Sequence, residues 1–256
     1  MARTYYKKTI TAGRLHKVIV YPIVQRGDNR ETRRAKRAAS REAQKRMNAV
    51  NSYQKLEMQL AANYDNGDLW ITLTYDDAHL PTDEKSADLC VDRFLRAWRR
   101  ARRKRGQELR CHWNTEHLHE HESFFENGRW HHHLCVNSTG EDFAEIRRLW
   151  TGGTEIEIRL LHFGGSDSYE KLARYLCKER SGKAVGKHTW HHTRNIRRPE
   201  VDGCRVEPDE PVQTPRGCEE LERFSEGGPW GRSRGVKFLA PFDPSARPRA
   251  RRKRRR

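Results

Sequence analysis

Several large protein classes are excluded by what this sequence lacks. No apolar run in its 256 residues approaches the roughly 18 needed for a membrane-spanning helix. The opening MARTYYKK has no apolar signal core. A protein that is not secreted, stays in the cytoplasm and has no membrane partner is therefore expected. The six cysteines (Cys90, Cys111, Cys135, Cys177, Cys204, Cys218) contain no C-x-x-C pair, so they read as reduced thiols and not as a disulfide framework. No period of about 20 to 50 residues recurs, which sets aside solenoids and propellers. A nucleotide-cradling glycine loop is also missing. With only 34% hydrophobic residues against 34% charged ones, a single core for the whole chain is not expected.

What is abundant is positive charge. The net charge is +17, and eight of the last ten residues, from Arg247 to Arg256, are basic; removing those eight leaves +9 on the remainder. A basic body with an arginine tail suits a polyanion, bound largely without reading sequence.

The pattern of apolar residues predicts the elements. TYYKKTITAGRLHKVIVYPIV reads as a hairpin turning at TAGR. Met47, Val50, Tyr53, Leu56, Leu60 and Tyr64 recur at helical spacing behind a run of arginines and lysines. LWITLTYDD alternates as a strand, and Cys90, Phe94, Trp98 and Ala101 mark a helix over residues 86–104 with Gly106 placed to end it. Arg99, Arg100, Arg102, Arg103, Lys104 and Arg105 crowd that end, a solvated surface or a phosphate contact.

LRCHWNTE and RWHHHLCVN read as antiparallel neighbours. Phe143, Ile146, Leu149 and Trp150 form the buried stripe of a helix in EDFAEIRRLW, TEIEIRLLHF reads as a strand, and Tyr169, Leu172, Ala173 and Leu176 line a last helix. The order β, α, β, β, α, β, α predicts an α+β fold, an antiparallel sheet with helices packed on it. Three regions are expected: residues 1–65, a hairpin and basic helix; 66–182, the main domain; and 183–256, a basic extension on which no fold is imposed.

Candidate chemistry centres on three consecutive histidines. Period two sends His131 and His133 to one sheet face and His132 with Leu134 and Val136 to the other. Glu116 is placed to share the face of His131 and His133, although His117, His119, His121, Glu122 and Glu126 are alternatives for a third ligand. Two imidazoles and a carboxylate suit Mg²⁺ or Mn²⁺ acting on a phosphodiester. Without such a carboxylate the histidines would be ordinary surface imidazoles. On the last helix Tyr175 and Lys178 stand one turn apart, so the cation can assist the phenol as a nucleophile. Thr72 and Thr74 face the same way in their strand, for strand propensity or for contact with DNA.

Taken in order, ITLTYDD, GRWHHHLCV and YLCK resemble the three motifs of HUH endonucleases of the rolling-circle replication initiator class, closest to the filamentous-phage type, over residues 68–182. The resemblance implies an HUH, ferredoxin-like split βαβ domain with His131, His133 and Glu116 as metal ligands, Tyr175 as nucleophile and Lys178 assisting it. It also implies metal-dependent nicking and rejoining of single-stranded origin DNA through a 5′-phosphotyrosine, in a bacterial host whose helicase and DNA polymerase are partners. An HUH transposase or relaxase, or a non-enzymatic basic DNA-binding protein, are the alternatives. His132 departs from the motif, whose middle residue is ordinarily a bulky hydrophobe. TRNIRRPE, downstream, is a further likeness to the family without a derivable role.

Overall fold

Two residues turn the chain over at the start: Ala12 pairs with Leu15, and Gly13 takes a φ of +58° in the turn between them. A positive φ at the first turn residue matches the twist of the flanking strands, and glycine adopts it without a Cβ clash. The resulting hairpin joins β1 (Tyr5–Ala12) to β2 (Leu15–Pro22), as expected.

The computed structural model of the protein describes residues 4–23, 41–118, 129–162, 168–177, 190–228 and 231–242. These divide into two units, one made of residues 1–23 and 201–256 and the other of residues 24–200. No helix among the described residues is long and apolar enough to cross a membrane.

In the first unit the hairpin continues into a five-stranded antiparallel sheet in the order β8 (Glu200–Val206), β1, β2, β10 (Gly231–Leu239), β9 (Glu219–Gly228). Tyr5, Val20, Val236 and Phe238 form its core, covered by Val212 from the segment before β9. The hairpin, expected to belong with the basic helix, thus pairs with strands from the far end of the chain. Residues 183–256, read without a fold, supply three of the five strands.

The second unit contains α1 (Arg41–Asn63), β3 (Leu69–Thr74), α2 (Glu84–Lys104), β4 (Cys111–Leu118), β5 (Arg129–Val136), α3 (Asp142–Leu149), β6 (Ile156–Leu160), α4 (Glu170–Leu176) and β7 (His191–His192). From β3 to α4 the order is the expected one. The sheet runs β6, β3, β5, β4, β7, and its strand pairs are antiparallel.

One face is apolar. Leu69, Ile71 and Leu73 of β3 and Leu134 and Val136 of β5 pack against Val91, Phe94, Leu95 and Trp98 of α2 and Ile146 of α3. The ends of α2 are written locally. Asp83 caps it, accepting from the Ser86 amide at 2.7 Å while its own amide donates to Ser86 Oγ. At the other end Gly106 sits at φ +69°, its amide bonding Arg103 O and that of Gln107 bonding Arg102 O, the paired bonds of a Schellman motif.

Two helix stripes differ from expectation. On α2 the buried set is Ala87, Val91, Phe94, Leu95, Trp98 and Arg102, with Cys90 and Ala101 at its margin. On α3, Phe143 is 48% exposed, whereas Asp142 and Glu145 turn inward with Ile146. The reason is electrostatic: the buried Arg102 guanidinium meets Asp142 Oδ1 at 2.6 Å, and Arg105 grips Glu145 through two bonds of 2.8 and 2.7 Å. These pairs rotate α3 and take Arg102 and Arg105 out of the supposed solvated arginine cluster.

The other sheet face carries α1 and α4, which contact each other through Tyr53 and Arg174. Tyr64, just past α1, donates to or accepts from His112 Nδ1 at 2.8 Å.

Candidate active site on the sheet face

Period two and register decide which side chains meet. Across β3, β5 and β4, Thr74, His131 and Glu116 lie in one row, and Thr72, His133 and Asn114 lie in the next. Opposed residues in an antiparallel sheet share a face, so all six stand on the side of α4. His131, His133 and Glu116 are therefore together where the alternation puts them, at 9%, 7% and 6% exposure.

From α4, Tyr175 reaches this face. Its hydroxyl donates to Glu116 Oε2 at 3.2 Å and lies 3.0 Å from His133 Nε2, and the same two groups are 3.2 Å from each other. Tyr175 nonetheless stays 41% exposed, so one side of the phenol is open to solvent. Trp70 stacks on the His133 ring at 5.3 Å with 5° between planes, and Tyr175 stands edge-on to both rings. Tyr169 is buried away from solvent, which leaves Tyr175 as the accessible phenol of this helix.

The threonines, left between two explanations by sequence, have a specific contact. Thr74 Oγ1 is 2.9 Å from His131 Nδ1, and Thr72 Oγ1 is 3.2 Å from His133 Nδ1. With each hydroxyl accepting from Nδ1–H, the lone pair of each ring resides on Nε2. Burial holds both imidazoles at pKa values of about 4, assisted at His131 by His133 and Arg129 and opposed at His133 by Glu157, so both are neutral at pH 7.

His132 explains itself on the opposite face. Thr115 donates to Asp88 Oδ1 at 2.5 Å and so accepts from His132 Nδ1 at 3.1 Å, while Tyr75 OH lies 2.7 Å from Nε2. A neutral ring with both nitrogens engaged fills the place of a hydrophobe beside Trp150. Burial depresses its pKa to about 3.

His117 pairs with Trp130 and packs edge-on against that indole at 4.8 Å, on the strand position that alternates away from Glu116. His119, His121, Glu122, Glu126 and Lys178 lie outside the described residues.

Among the described residues no three of His, Cys, Asp and Glu converge as the ligands of an ion. The donors do suit one chemically. His131 Nε2 is buried with no hydrogen-bond partner, and His133 Nε2 and Glu116 share its face with the phenol of Tyr175 resting on them. Sequence reasoning missed Asn114, whose Oδ1 is likewise buried and unpartnered in the row of His133. Its signal was present: it alternates with Glu116 in the same strand.

The family model for the replication-associated protein ORF2 matches residues 68–183, the stretch that runs from β3 through α4. The match supports a replication-initiator family for that stretch. No curated protein and no solved structure matches the chain.

Proposed function

We propose that this chain is a rolling-circle replication initiator of the HUH class, a metal-dependent enzyme that nicks and rejoins single-stranded origin DNA. The observation that carries the reading is the phenol of Tyr175 held at 3.0 and 3.2 Å from His133 Nε2 and Glu116 Oε2, on a sheet face shared with His131. The family match to residues 68–183 supports the replication role.

Tyr175 is the nucleophile. A free phenol titrates near 10, so its proton needs an acceptor at the moment of attack. Neutral His133 and the Glu116 carboxylate are the two acceptors within reach. As the bond from Tyr175 Oη to phosphorus forms, the bond to the 3′ oxygen breaks and that oxygen takes a proton. The products are a 5′-phosphotyrosine and a 3′-hydroxyl from which a host polymerase can extend. Reversal rejoins the strand, and one phosphate bond is exchanged for another throughout, so no nucleotide is consumed.

His131, His133 and Glu116 would hold Mg²⁺ or Mn²⁺, which when bound polarises a non-bridging oxygen of the scissile phosphate. Thr72 and Thr74 orient the two imidazoles, and Trp70 restrains His133 and Tyr175 by ring contact. Lys178 assists the phenol as a neighbouring cation, on the strength of the family resemblance. Single-stranded origin DNA is the substrate, with a host helicase supplying unwound template.

Incubation with labelled single-stranded origin DNA and Mn²⁺ tests this on a denaturing gel. A protein–DNA adduct is expected, and Tyr175→Phe is expected to abolish it. An adduct that persists in Tyr175→Phe defeats the assignment.

A further inference from the structure

The sheet of the first unit has a second face that the nicking chemistry does not use. One face is closed by the segment between β8 and β9: Val212 joins the core there, Lys7 reaches Glu210 at 2.6 Å, and Arg234 bonds the carbonyls of Pro208 and Glu210. Alternation places Tyr6 and Lys8 of β1, Lys17 and Tyr21 of β2, and Phe224 of β9 on the opposite face.

Two strand glycines shape that face. A Cβ at Gly203 would lie 2.4 Å from the Tyr6 hydroxyl and 2.5 Å from Tyr6 Cε1, and a Cβ at Gly235 would lie 2.5 Å from both Cε1 and Cζ of Phe224. Each ring therefore lies across a neighbouring strand in room that only glycine leaves. Tyr21 stands 5.8 Å from Tyr6, and the Lys17 ammonium sits 6.0 Å from the Phe224 centroid. Lys8 is the next residue after Tyr6 on the same face of β1, and exposed Arg205 shares the side of Gly203. The carboxylates here, Glu222 and Glu226, stand on the outer strand β9, and Glu222 is engaged by Lys237 at 3.4 Å.

From this juxtaposition we propose that the face binds single-stranded nucleic acid, with bases stacking on Tyr6, Tyr21 and Phe224 while Lys8, Lys17 and Arg205 neutralise phosphates. Flat aromatic rings receive any base, because every base has a π face, and interleaved cations follow the backbone. A protein partner would meet a row of cations with few buried apolar anchors, whereas a polyanion is matched in charge. The inference stands apart from the nicking reading, since its residues lie in the other unit.

The test is fluorescence anisotropy of a labelled oligo(dT) with the full-length protein. EDTA excludes nicking, and raised salt weakens contacts made by the arginine-rich C-terminus. Replacing Tyr6 and Tyr21 together by leucine is expected to weaken binding roughly tenfold or more, at about 1 to 3 kcal/mol per stacked base. Wild-type protein is expected to prefer oligo(dT) over duplex DNA. Because the double substitution can disturb the sheet, photo-cross-linking of wild type to an iododeoxyuridine oligonucleotide gives an independent readout. Cross-links mapped to peptides carrying Tyr6, Tyr21 or Phe224 support the proposal; cross-links confined to other peptides, or equal affinity for duplex, overturn it.

Discussion

Thr72 and Thr74 illustrate how a small side chain sets the chemistry of a larger one. A threonine in a strand is ordinarily explained by propensity, yet here each hydroxyl engages Nδ1 of the histidine directly opposite it and leaves Nε2 as the ring's lone-pair donor. Thr74→Val is expected to lower Mn²⁺ affinity roughly 10-fold to 100-fold, and Thr74→Ser to restore it, by isothermal titration; equal affinity in the valine variant would make the contact incidental. His112 offers a separate pH prediction. It lies buried beside Tyr64 and Gln59, and burial, with help from His192, lowers its pKa to about 3. An unfolded chain binds a proton there near 6.5 while the folded one does not until about 3. Its stabilising contribution is thus complete above pH 6.5 and is lost as pH falls below that, at about 1 kcal/mol per pH unit. Urea unfolding at pH 7 and pH 5 should show a smaller loss in His112→Gln than in wild type. Legibility at this scale was uneven. The shared face of His131, His133 and Glu116 followed from alternation alone, whereas Asn114 and the role of buried His132 depended on what lies across the sheet.

At the level of elements, α2 and α3 are joined by charge as much as by packing. Arg102 is fully buried; desolvation pulls its guanidinium below the usual value, and Asp142 opposes that effect. Asp142→Ala would leave a buried cation without its partner, which costs about 3 to 5 kcal/mol. Denaturant unfolding should register that loss, and the double change Arg102→Met with Asp142→Leu should recover much of it. The inward acidic side of α3 explains why its stripe was misjudged. Hydrophobic periodicity finds faces that bury carbon, and it is blind to a helix whose buried side is carboxylate met by guanidinium. Strand order from β3 to β6 and the two ends of α2 were legible, because capping and alternation are properties of the local backbone.

For the molecule as a whole, charge dominates. Eight basic residues crowd the last ten positions, and a protein that neutralises Z phosphates of a single strand loses affinity with a logarithmic salt slope of about −0.7Z. Deleting residues 247–256 is expected to weaken single-strand binding without regard to sequence and to flatten that slope by up to about five, while the Tyr175 adduct still forms at saturating origin DNA. Binding titrations over a salt series, with the adduct gel alongside, check both parts. The sequence by itself determined which side chains share a strand face, where α2 begins and ends, and that the chain carries a large positive charge, because backbone periodicity, capping and composition need no knowledge of distant residues. Only the tertiary structure decided that Tyr175 meets His133 and Glu116, that His132 is satisfied in the core, and that the first hairpin shares its sheet with strands some two hundred residues later. Those outcomes depend on long-range contacts, whose partners leave no periodic trace in either segment alone.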